Sequence, residues 1–557
     1  MLKVGLLVDS LVQPRWVRRV IETIQASDCA RVTLIVQNTP VPTAPTPLVS
    51  RLSRRRRHLF YSIYTRLDDY LFRRECKPDA FERVSVEDLL PDCPRIQVSP
   101  RRTRYSDFIE GQDLETIAAA DLDVAIRFGF RILRGPILDT PRLGVWSYHH
   151  GDNRRYRGAP AGFWEVMKGE DTTGSILQIL GPDLDNGRVI YRSFAATDKT
   201  SVRRNKNNYY WKSSDFVIRK LRQVAEHGAS ALTGEPAEQE FTAYSAPLYT
   251  VPRNRELLPL LIAFAWRILR EKVEHLVYRE QWGVAYSLGQ TSHCAPPAPF
   301  RFVHVTPPRD RFWADPFPVR HGEEYYVFVE ELIKGSVHNN KRKAHISAIK
   351  IDSSGPTGPP IKVLETDCHL SYPFLFEWKG TLYMVPETAG NRSVELYRCV
   401  EFPHRWVFVK PMLTNVNAVD PTLIQQGDRW WLFVNIAVDG ARNVDELHVY
   451  HAADPLGDWT PHTLNPVKSD VRSSRPAGRP FIWRGELHRP AQDCSRRYGH
   501  AIVVNKITRL DPQGYEEVQV SSLKPEWRRD IVGTHTLNRS TNITVVDVLT
   551  RIPRWRR

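Results

Sequence analysis

Several absences narrow the reading before any motif is considered. Seven cysteines are scattered through 557 residues and no Cys-x-x-Cys step occurs. That argues against a disulfide framework or a structural zinc site and points to a reducing, cytoplasmic setting. No run of 18 apolar residues appears, so no segment reads as a membrane-spanning helix. The best helical stretch, Leu257 to Ile268, turns charged at its end and reads as a buried or interfacial helix. The loop after the first apolar strand holds Asp9, Ser10 and Gln13 but no Gly-x-Gly-x-x-Gly, which removes the dinucleotide fingerprint. Homeodomain, zinc-finger and RNP-like patterns are missing too. Nucleic acid is therefore not an expected partner, although 78 basic residues face 63 acidic ones and leave a formal charge of +15.

The basic excess is present in short runs. Arg51 and Arg54 to Arg57 form one, Arg101, Arg102 and Arg104 another, and Arg554, Arg556 and Arg557 end the sequence. Such patches draw phosphates, small anions or acidic lipid surfaces. At this length two or three domains are expected. The opening Met-Leu-Lys-Val-Gly-Leu-Leu-Val reads as a buried strand rather than a cleavable leader. A helix over 17–26 and a strand over 32–36 follow, the opening of a parallel sheet. Residues 38–58, rich in Pro, Thr, Ser and Arg, read as a loop. Leu59, Phe60, Ile63, Tyr64, Leu67 and Leu71 then recur at helical spacing. That helix is expected to pack on the sheet, with peripheral contact to a membrane surface as the alternative. Strands are expected over 122–126 and 144–148, with a short helix over 130–138 between them.

The segment from Gly144 to Pro160 reads Gly-Val-Trp-Ser-Tyr-His-His-Gly-Asp-Asn-Arg-Arg-Tyr-Arg-Gly-Ala-Pro, and Thr173-Gly174 and Asp185-Asn186-Gly187 follow. In order and spacing this resembles the folate-dependent formyltransferases. That resemblance implies an α/β, Rossmann-like domain over 1–204. It also implies a site with Ser147, His149 and Asp185 in catalytic positions and Arg157, Gly158, Thr173, Gly174 and Gly187 in cofactor-binding ones. The implied cofactor is 10-formyltetrahydrofolate. Ser147 stands where the family has asparagine, which leaves either an active variant with altered geometry or a lost activity. A slipped register would put His150 in place of His149. A metal held by His149, His150 and Asp152 is not expected, because neighbouring side chains on an extended backbone point apart. The chemistry asks for a donor to the oxyanion that forms when an amine attacks a formyl carbon, and for a base to take the amine proton.

Residues 205–279 read as a helical connecting region, with helices around 209–227 and 257–276. After it an internal repeat appears. Asp315-Pro316, Tyr372-Pro373, Asp420-Pro421 and Arg479-Pro480 each precede a strand, a glycine hairpin and a second strand, at spacings of 57, 48 and 59 residues. A further unit starts near Gly533-Thr534-His535, and Gln281 to Tyr286 are expected to add a closing outer strand. Repeats of this length read as blades, so an all-β five-bladed β-propeller is expected over 280–557. The repeat resembles the five-bladed glycoside hydrolases. It also resembles the propeller-like domain of glucosamine inositolphosphorylceramide transferases. A pocket of Asp315, Glu387, Asp420, Arg479, Arg489, Gln492 and His535 around the axis is the expectation, with Asp315 at the general-base position. The leading function is formyl transfer to the amine of an amino sugar or its nucleotide or lipid conjugate. Two alternatives stand beside it: a glycosidase or glycosyl transferase propeller joined to a degenerate formyltransferase domain, and a non-catalytic sugar-binding protein.

Overall fold

A computed structural model describes residues 1–40, 53, 55–182, 187–232, 247–289, 302–334, 337–338, 341–540 and 542–555. The chain divides into two compact units, residues 1–268 with 438–441, and residues 269–437 with 442–557.

In the first unit β1 (Leu2–Val8), β2 (Ala30–Asn38), β3 (Arg95–Val98), β4 (Val124–Arg127), β5 (Val145–His149), β6 (Thr172–Ile179) and β7 (Arg188–Ala196) form one sheet. Its order is β7-β6-β5-β4-β1-β2-β3. The pairs from β5 through β3 are parallel, and β6 and β7 run antiparallel at the edge. The chain reverses direction of travel at β1, so β1 and β4 flank the switch point beside which α/β sheets bind ligands. Helix α1 (Arg15–Gln25) buries Trp16, Val17, Val20, Ile21 and Ile24, the one-face spacing that an amphipathic helix needs. Residues 130–138 form a strand, Ile132–Arg134, and a single 3-10 turn, Pro136–Leu138, rather than the expected helix. Gly135 between them has φ +83°, which no helix accommodates, and the strand pairs with Ser106–Phe108.

Helix α2 (Leu59–Phe72) matches its expected span, but not its expected packing. Phe60, Tyr61 and Tyr64 turn inward, whereas Leu59, Ile63, Leu67 and Leu71 are exposed. Then come α3 (Gly111–Ala119), α4 (Phe163–Lys168), α5 (Val202–Ser213), α6 (Phe216–His227) and α7 (Asn254–Val277), whose residues from Leu269 on belong to the second unit. The one helix read around 209–227 is thus two, parted at Ser214 and Asp215. The Ser201 side chain caps α5 by accepting from the Arg204 N–H. Residues 41–52, most of the loop read at 38–58, lie outside the described residues.

The second unit is a succession of antiparallel sheets, propeller-like in order. The first joins Arg311–His321, Glu324–Ile333, His345–Ile351 and Ile361–Leu364, and the second Ser371–Trp378, Thr381–Thr388, Ser393–Glu401 and Arg405–Thr414. The third runs from Ala418–Gln426 to Thr460–Pro461 and the fourth from Phe481–Trp483 to Gly514–Leu523. In the last sheet Tyr278–Leu288 pairs along its whole length with Ile543–Pro553. Val303–Val305 lies on its other side. Residues 281–286 are therefore interior to their sheet, not its outer strand. The sheet that holds the sequence's last long strand also holds the unit's first.

Candidate functional site

At the C-terminal ends of β4 and β5 lies a slot of about 90 Å³, walled by Ile132, Leu133, Leu180 and Pro182 and carrying Arg127, Ser147, His149 and Gln178. The ladder sets Ser147 beside Arg127. Arg127 Nε donates to Ser147 Oγ at 3.2 Å, and a second guanidinium nitrogen is anchored on the Arg131 carbonyl at 2.7 Å. The guanidinium is thus a fixed positive charge against the hydroxyl. His149 Nε2 lies 3.1 Å from the Tyr156 carbonyl, an acceptor only, so Nε2 carries a proton. Gln178 Oε1 is buried with no hydrogen-bond partner among the described residues.

The register is decided by its neighbour. The His150 ring stacks on Tyr210 at 3.6 Å and its Nε2 meets Ser213 Oγ at 3.1 Å. Burial, with His149 and Lys206 beside it, holds that imidazole well below its usual range and so neutral. His150 is core, and His149 is the histidine of the slot. Asp152 is tied to Arg192 at 2.9 Å. Asp185, the third expected catalytic residue, lies outside the described residues.

The expected cofactor-binding residues shape the loop instead of lining the slot. Gly174 lies so close to the 149–152 turn that a Cβ there would sit 2.7 Å from the Asp152 backbone nitrogen. Gly158, at φ +86°, faces the Tyr249 carbonyl, where a Cβ would fall 2.3 Å away. Arg157 is buried beside it and bridges to Leu248. Thr173 meets Thr197 at 2.9 Å and accepts from Asn205 at 3.0 Å, in a buried polar cluster. Gly187 passes the Ile179 carbonyl and Gln178, against the slot wall.

In the second unit one backbone device recurs. The innermost strands of the first three sheets each carry a two-for-one bulge at the residue before proline. Those residues, Asp315, Tyr372 and Asp420, have φ +51°, +46° and +54°. The bulge breaks the side-chain alternation and drives these buried side chains together. Tyr372 N–H donates to Asp315 at 3.2 Å, and the Tyr372 hydroxyl accepts from the Gly478 N–H at 2.7 Å. Glu330, Glu387 and Asn435 stand in matching registers, each paired with the residue just before a bulge: Ala314, Ser371 and Val419.

The fourth counterpart is Arg475-Pro476, not the expected Arg479-Pro480. Pro476 bridges Ala491, and Arg475 forks onto Asp420 at 2.5 and 3.2 Å. Gln492 adds a bond to Asp420 at 2.7 Å. Arg479 contacts Asn538, the Leu375 carbonyl and the Phe374 ring. Arg489 is likewise engaged elsewhere, paired with Glu517 at 2.8 Å. His535 lies between Asp315 at 3.2 Å and Asp547 at 2.8 Å, and Thr536 donates to Asp315 at 2.7 Å. The carboxylates of Asp315 and Asp547 and the His535 imidazole have ligand types that a cation would accept.

The charges in this cluster diverge. Burial, then the Asp420 charge, pushes the Glu387 carboxyl far above the carboxylate range, so it is protonated at neutral pH. Burial opposes ionisation of Asp315, but His535 and Thr536 overcome it and hold it below its ordinary value. The Asp547 and Asp315 charges overcome burial at His535 and keep it cationic. Arg475, Asp547, Thr536 and, in the slot, Arg127 were not singled out from sequence. Only Arg475 had a readable signal, the Arg-Pro step that repeats the Asp-Pro, Tyr-Pro and Asp-Pro steps before it.

Three comparisons with known proteins bear on these regions. A family profile described as glucosamine inositolphosphorylceramide transferase 1, N-terminal, matches residues 302–543. The Arabidopsis thaliana protein of that name is 35% identical over 213 residues, 38% of this chain and 27% of the relative. A methionyl-tRNA formyltransferase from a Synechococcus species is 37% identical over 105 residues, 18% of this chain and 30% of the relative. The chain thus spans less than a third of either relative. Among solved structures, glycinamide ribonucleotide transformylase 1 from Symbiobacterium toebii covers 41% of this chain and 88% of its own, at 14% identity and a TM-score of 0.26. The N-terminal region resembles formyltransferase-fold proteins and the C-terminal region the propeller-like inositolphosphorylceramide transferase family, both at low identity.

Proposed function

We propose that the first unit transfers a formyl group from a 10-formyltetrahydrofolate-type donor to the amine of an amino sugar or its conjugate. The second unit, closed as five blades, engages the carbohydrate. The observation that carries this reading is the Arg127–Ser147–His149 arrangement at the strand ends. The slot residues fit the formyl-bearing end of such a donor: aliphatic walls suit a flat ring, and the unpartnered Gln178 acceptor suits a ring N–H. When bound, the donor supplies a formyl group at the oxidation level of an amide. Arg127, through Ser147, presents positive charge and a hydroxyl to the oxyanion, where a carboxamide would otherwise serve. His149 would take the proton of the attacking amine and return it to the donor nitrogen as the formyl C–N bond breaks and the deformylated folate leaves, with the ring held by the Tyr156 carbonyl. The sugar acceptor is supported by the glucosamine-directed relatives of the second unit.

The test is direct: purified full chain, 10-formyltetrahydrofolate and a panel of amino-sugar nucleotides, read as loss of the folate donor and mass gain of the sugar. Transfer that Arg127→Gln and His149→Ala both remove supports the reading. Absence of folate binding by calorimetry together with absence of transfer rejects it. One observation favours a second reading for the axial cluster. Glu387 held protonated beside ionised Asp315 is the divergence that acid–base pairs use, which suits glycosyl hydrolysis or transfer. Release of reducing sugar lost in Glu387→Gln would establish that activity.

A further inference from the structure

Helix α7 is apolar on two faces. Its inner face, Leu257, Leu260, Leu261 and Phe264, packs with Phe163, Val166 and Met167. Its outer face carries Leu258, Ile262, Trp266, Leu269, Val273 and Leu276, all exposed, with Ile262 at 63%, Trp266 at 67% and Leu276 at 75%. From Ile262 onward these follow the alternating four-and-three spacing that puts side chains in a single stripe. A helix apolar all round is normally covered all round, and this one is not. Helix α2 repeats the pattern with its exposed Leu59, Ile63, Leu67 and Leu71. The two helices touch near their starts: Asn254 accepts from the Phe60 N–H at 3.1 Å and the Tyr64 and Phe264 rings lie 5.6 Å apart.

The exposed charges around α2 are mainly basic, whereas those along α7 are mixed. Arg55, Arg56 and Arg57 are exposed just before the α2 span, and Arg66, Arg73 and Arg74 are exposed along and beyond it. Arg253 and Arg255 are exposed at the start of α7 beside exposed Glu256, and Arg270 and Lys272 flank its stripe with exposed Glu271 between them, Arg270 being paired with Glu274 at 2.9 Å. The acids of α2 are turned to the body: Asp68 is buried and Asp69 lies 3.5 Å from Arg203. A second copy is a poor cover for the stripe. In an antiparallel pair Arg270 and Lys272 would each meet their own counterparts, and in a parallel pair they would meet Ala265 and Val277, with no opposite charge.

We propose that the outer face of α2 and the part of the α7 face that belongs to the same unit, Leu258, Ile262 and Trp266, dock onto the surface of an anionic lipid bilayer. The apolar side chains enter the headgroup boundary and the arginines contact acidic headgroups. Both segments lie in the plane of the interface; no helix among the described residues is long and apolar enough to cross a membrane.

Flotation of the full chain with vesicles tests this, using phosphatidylcholine alone and phosphatidylcholine with about one third phosphatidylserine. The protein floats with the anionic vesicles, and roughly 0.5 M salt weakens that binding several-fold. Ile262→Glu with Trp266→Glu lowers it by about tenfold or more while the melting temperature holds, because both side chains are exposed. Arg55, Arg56 and Arg57 changed together to serine remove most of the preference for anionic over neutral vesicles. Three results would overturn the proposal: no flotation with the anionic vesicles, equal flotation of the double variant, or a dimer in sedimentation velocity that the double variant converts to monomer.

Discussion

The strand-end slot and the axial cluster both gather polar groups at backbone irregularities, but they use their hydrogen-bonding capacity to different extents. In the slot, Gln178 keeps a bare acceptor among the described residues, while Ser147 and His149 line the cavity with bonds to Arg127 and the Tyr148 carbonyl and to the Tyr156 carbonyl. In the cluster, Asp315 accepts from Thr536 and Tyr372, Asp420 from Arg475 and Gln492, and His535 is held between two carboxylates. Unspent capacity is what a ligand can use, whereas spent capacity fixes the fold and its charge states. The cluster keeps some capacity as well: Glu387 Oε2, with Arg475 at 3.7 Å, and both side-chain amide atoms of Asn435 make no hydrogen bond among the described residues, and His535 Nδ1 meets Asp547 as an ion pair without hydrogen-bond geometry.

The sharpest way to break this comparison is to delete one residue from each region. His149→Ala should lower formyl transfer by about 10² to 10⁴-fold, the range for a lost general base, with an unchanged melting curve. Arg475→Ala should do the reverse. Removing one partner of a buried charge pair costs about 3–5 kcal/mol, and single-unit melting should fall by roughly 10 °C. A thermally silent Arg475→Ala would show that the cluster is not a structural network.

Much of this contrast was open to reading in the sequence, for a definable reason. The slot follows from a linear motif, Ser147 to Pro160, so its parts come in fixed spacing. The cluster is assembled from different sheets, and only the residue-before-proline step marks its members. That mark pointed to Arg479 because Arg479-Pro480 is followed by Phe-Ile, as Asp315-Pro316 is by Phe-Pro; the side chain that reaches Asp420 comes instead from four residues earlier, Arg475, beside the isolated Pro476–Ala491 bridge. Asp547 and Thr536 carry no such mark and enter only because the last strands share a sheet with the first. Arg127 was invisible because its role depends on lying beside Ser147 across the ladder, 20 residues away in sequence. The outward faces of α2 and α7 were missed for another reason: helical periodicity shows that apolar residues share a face, not what that face meets.

A next test asks whether buried charge in the first unit behaves as it does in the second. Glu165 on α4 is 2% exposed, its Oε1 has no partner among the described residues, and burial, aided by Glu170 and Asp152, pushes its carboxyl up to about 7. Glu517 is also buried, but Arg489 and Lys468 outweigh burial and hold it at about 2. The signs are opposite. A raised carboxyl contributes stability below its unfolded value that is lost as pH rises through about 7. A depressed one contributes stability above its unfolded value, lost as pH falls toward about 2. Glu165→Gln should therefore flatten the decline in stability of the first unit between roughly pH 4.5 and 7, a difference of about 3 kcal/mol at neutral pH. Glu517→Gln should weaken the second unit at neutral pH and leave little difference in acid. Denaturation followed at several pH values reads both, and identical profiles for Glu165→Gln and the unaltered chain would contradict the burial assigned here.

The smallest expected effect lies at Ser147 itself. An asparagine is one heavy atom longer along the chain and offers both an acceptor and two donors. Its carbonyl can take the bond that Arg127 Nε now makes to Ser147 Oγ at 3.2 Å, leaving its amide N–H to face the slot. Ser147→Asn should thus keep transfer within about tenfold of the starting rate, roughly 1.4 kcal/mol in either direction. The informative comparison is a cycle. If Arg127 acts by polarising the serine hydroxyl, then Arg127→Gln should cost the unaltered chain far more than it costs the Ser147→Asn variant, because a carboxamide N–H does not depend on a neighbouring cation for its donor strength. If Arg127 instead contacts the donor directly, the two losses should be equal and the changes additive. Additivity would move Arg127 from a positioning role on Ser147 to direct contact with the transferred group.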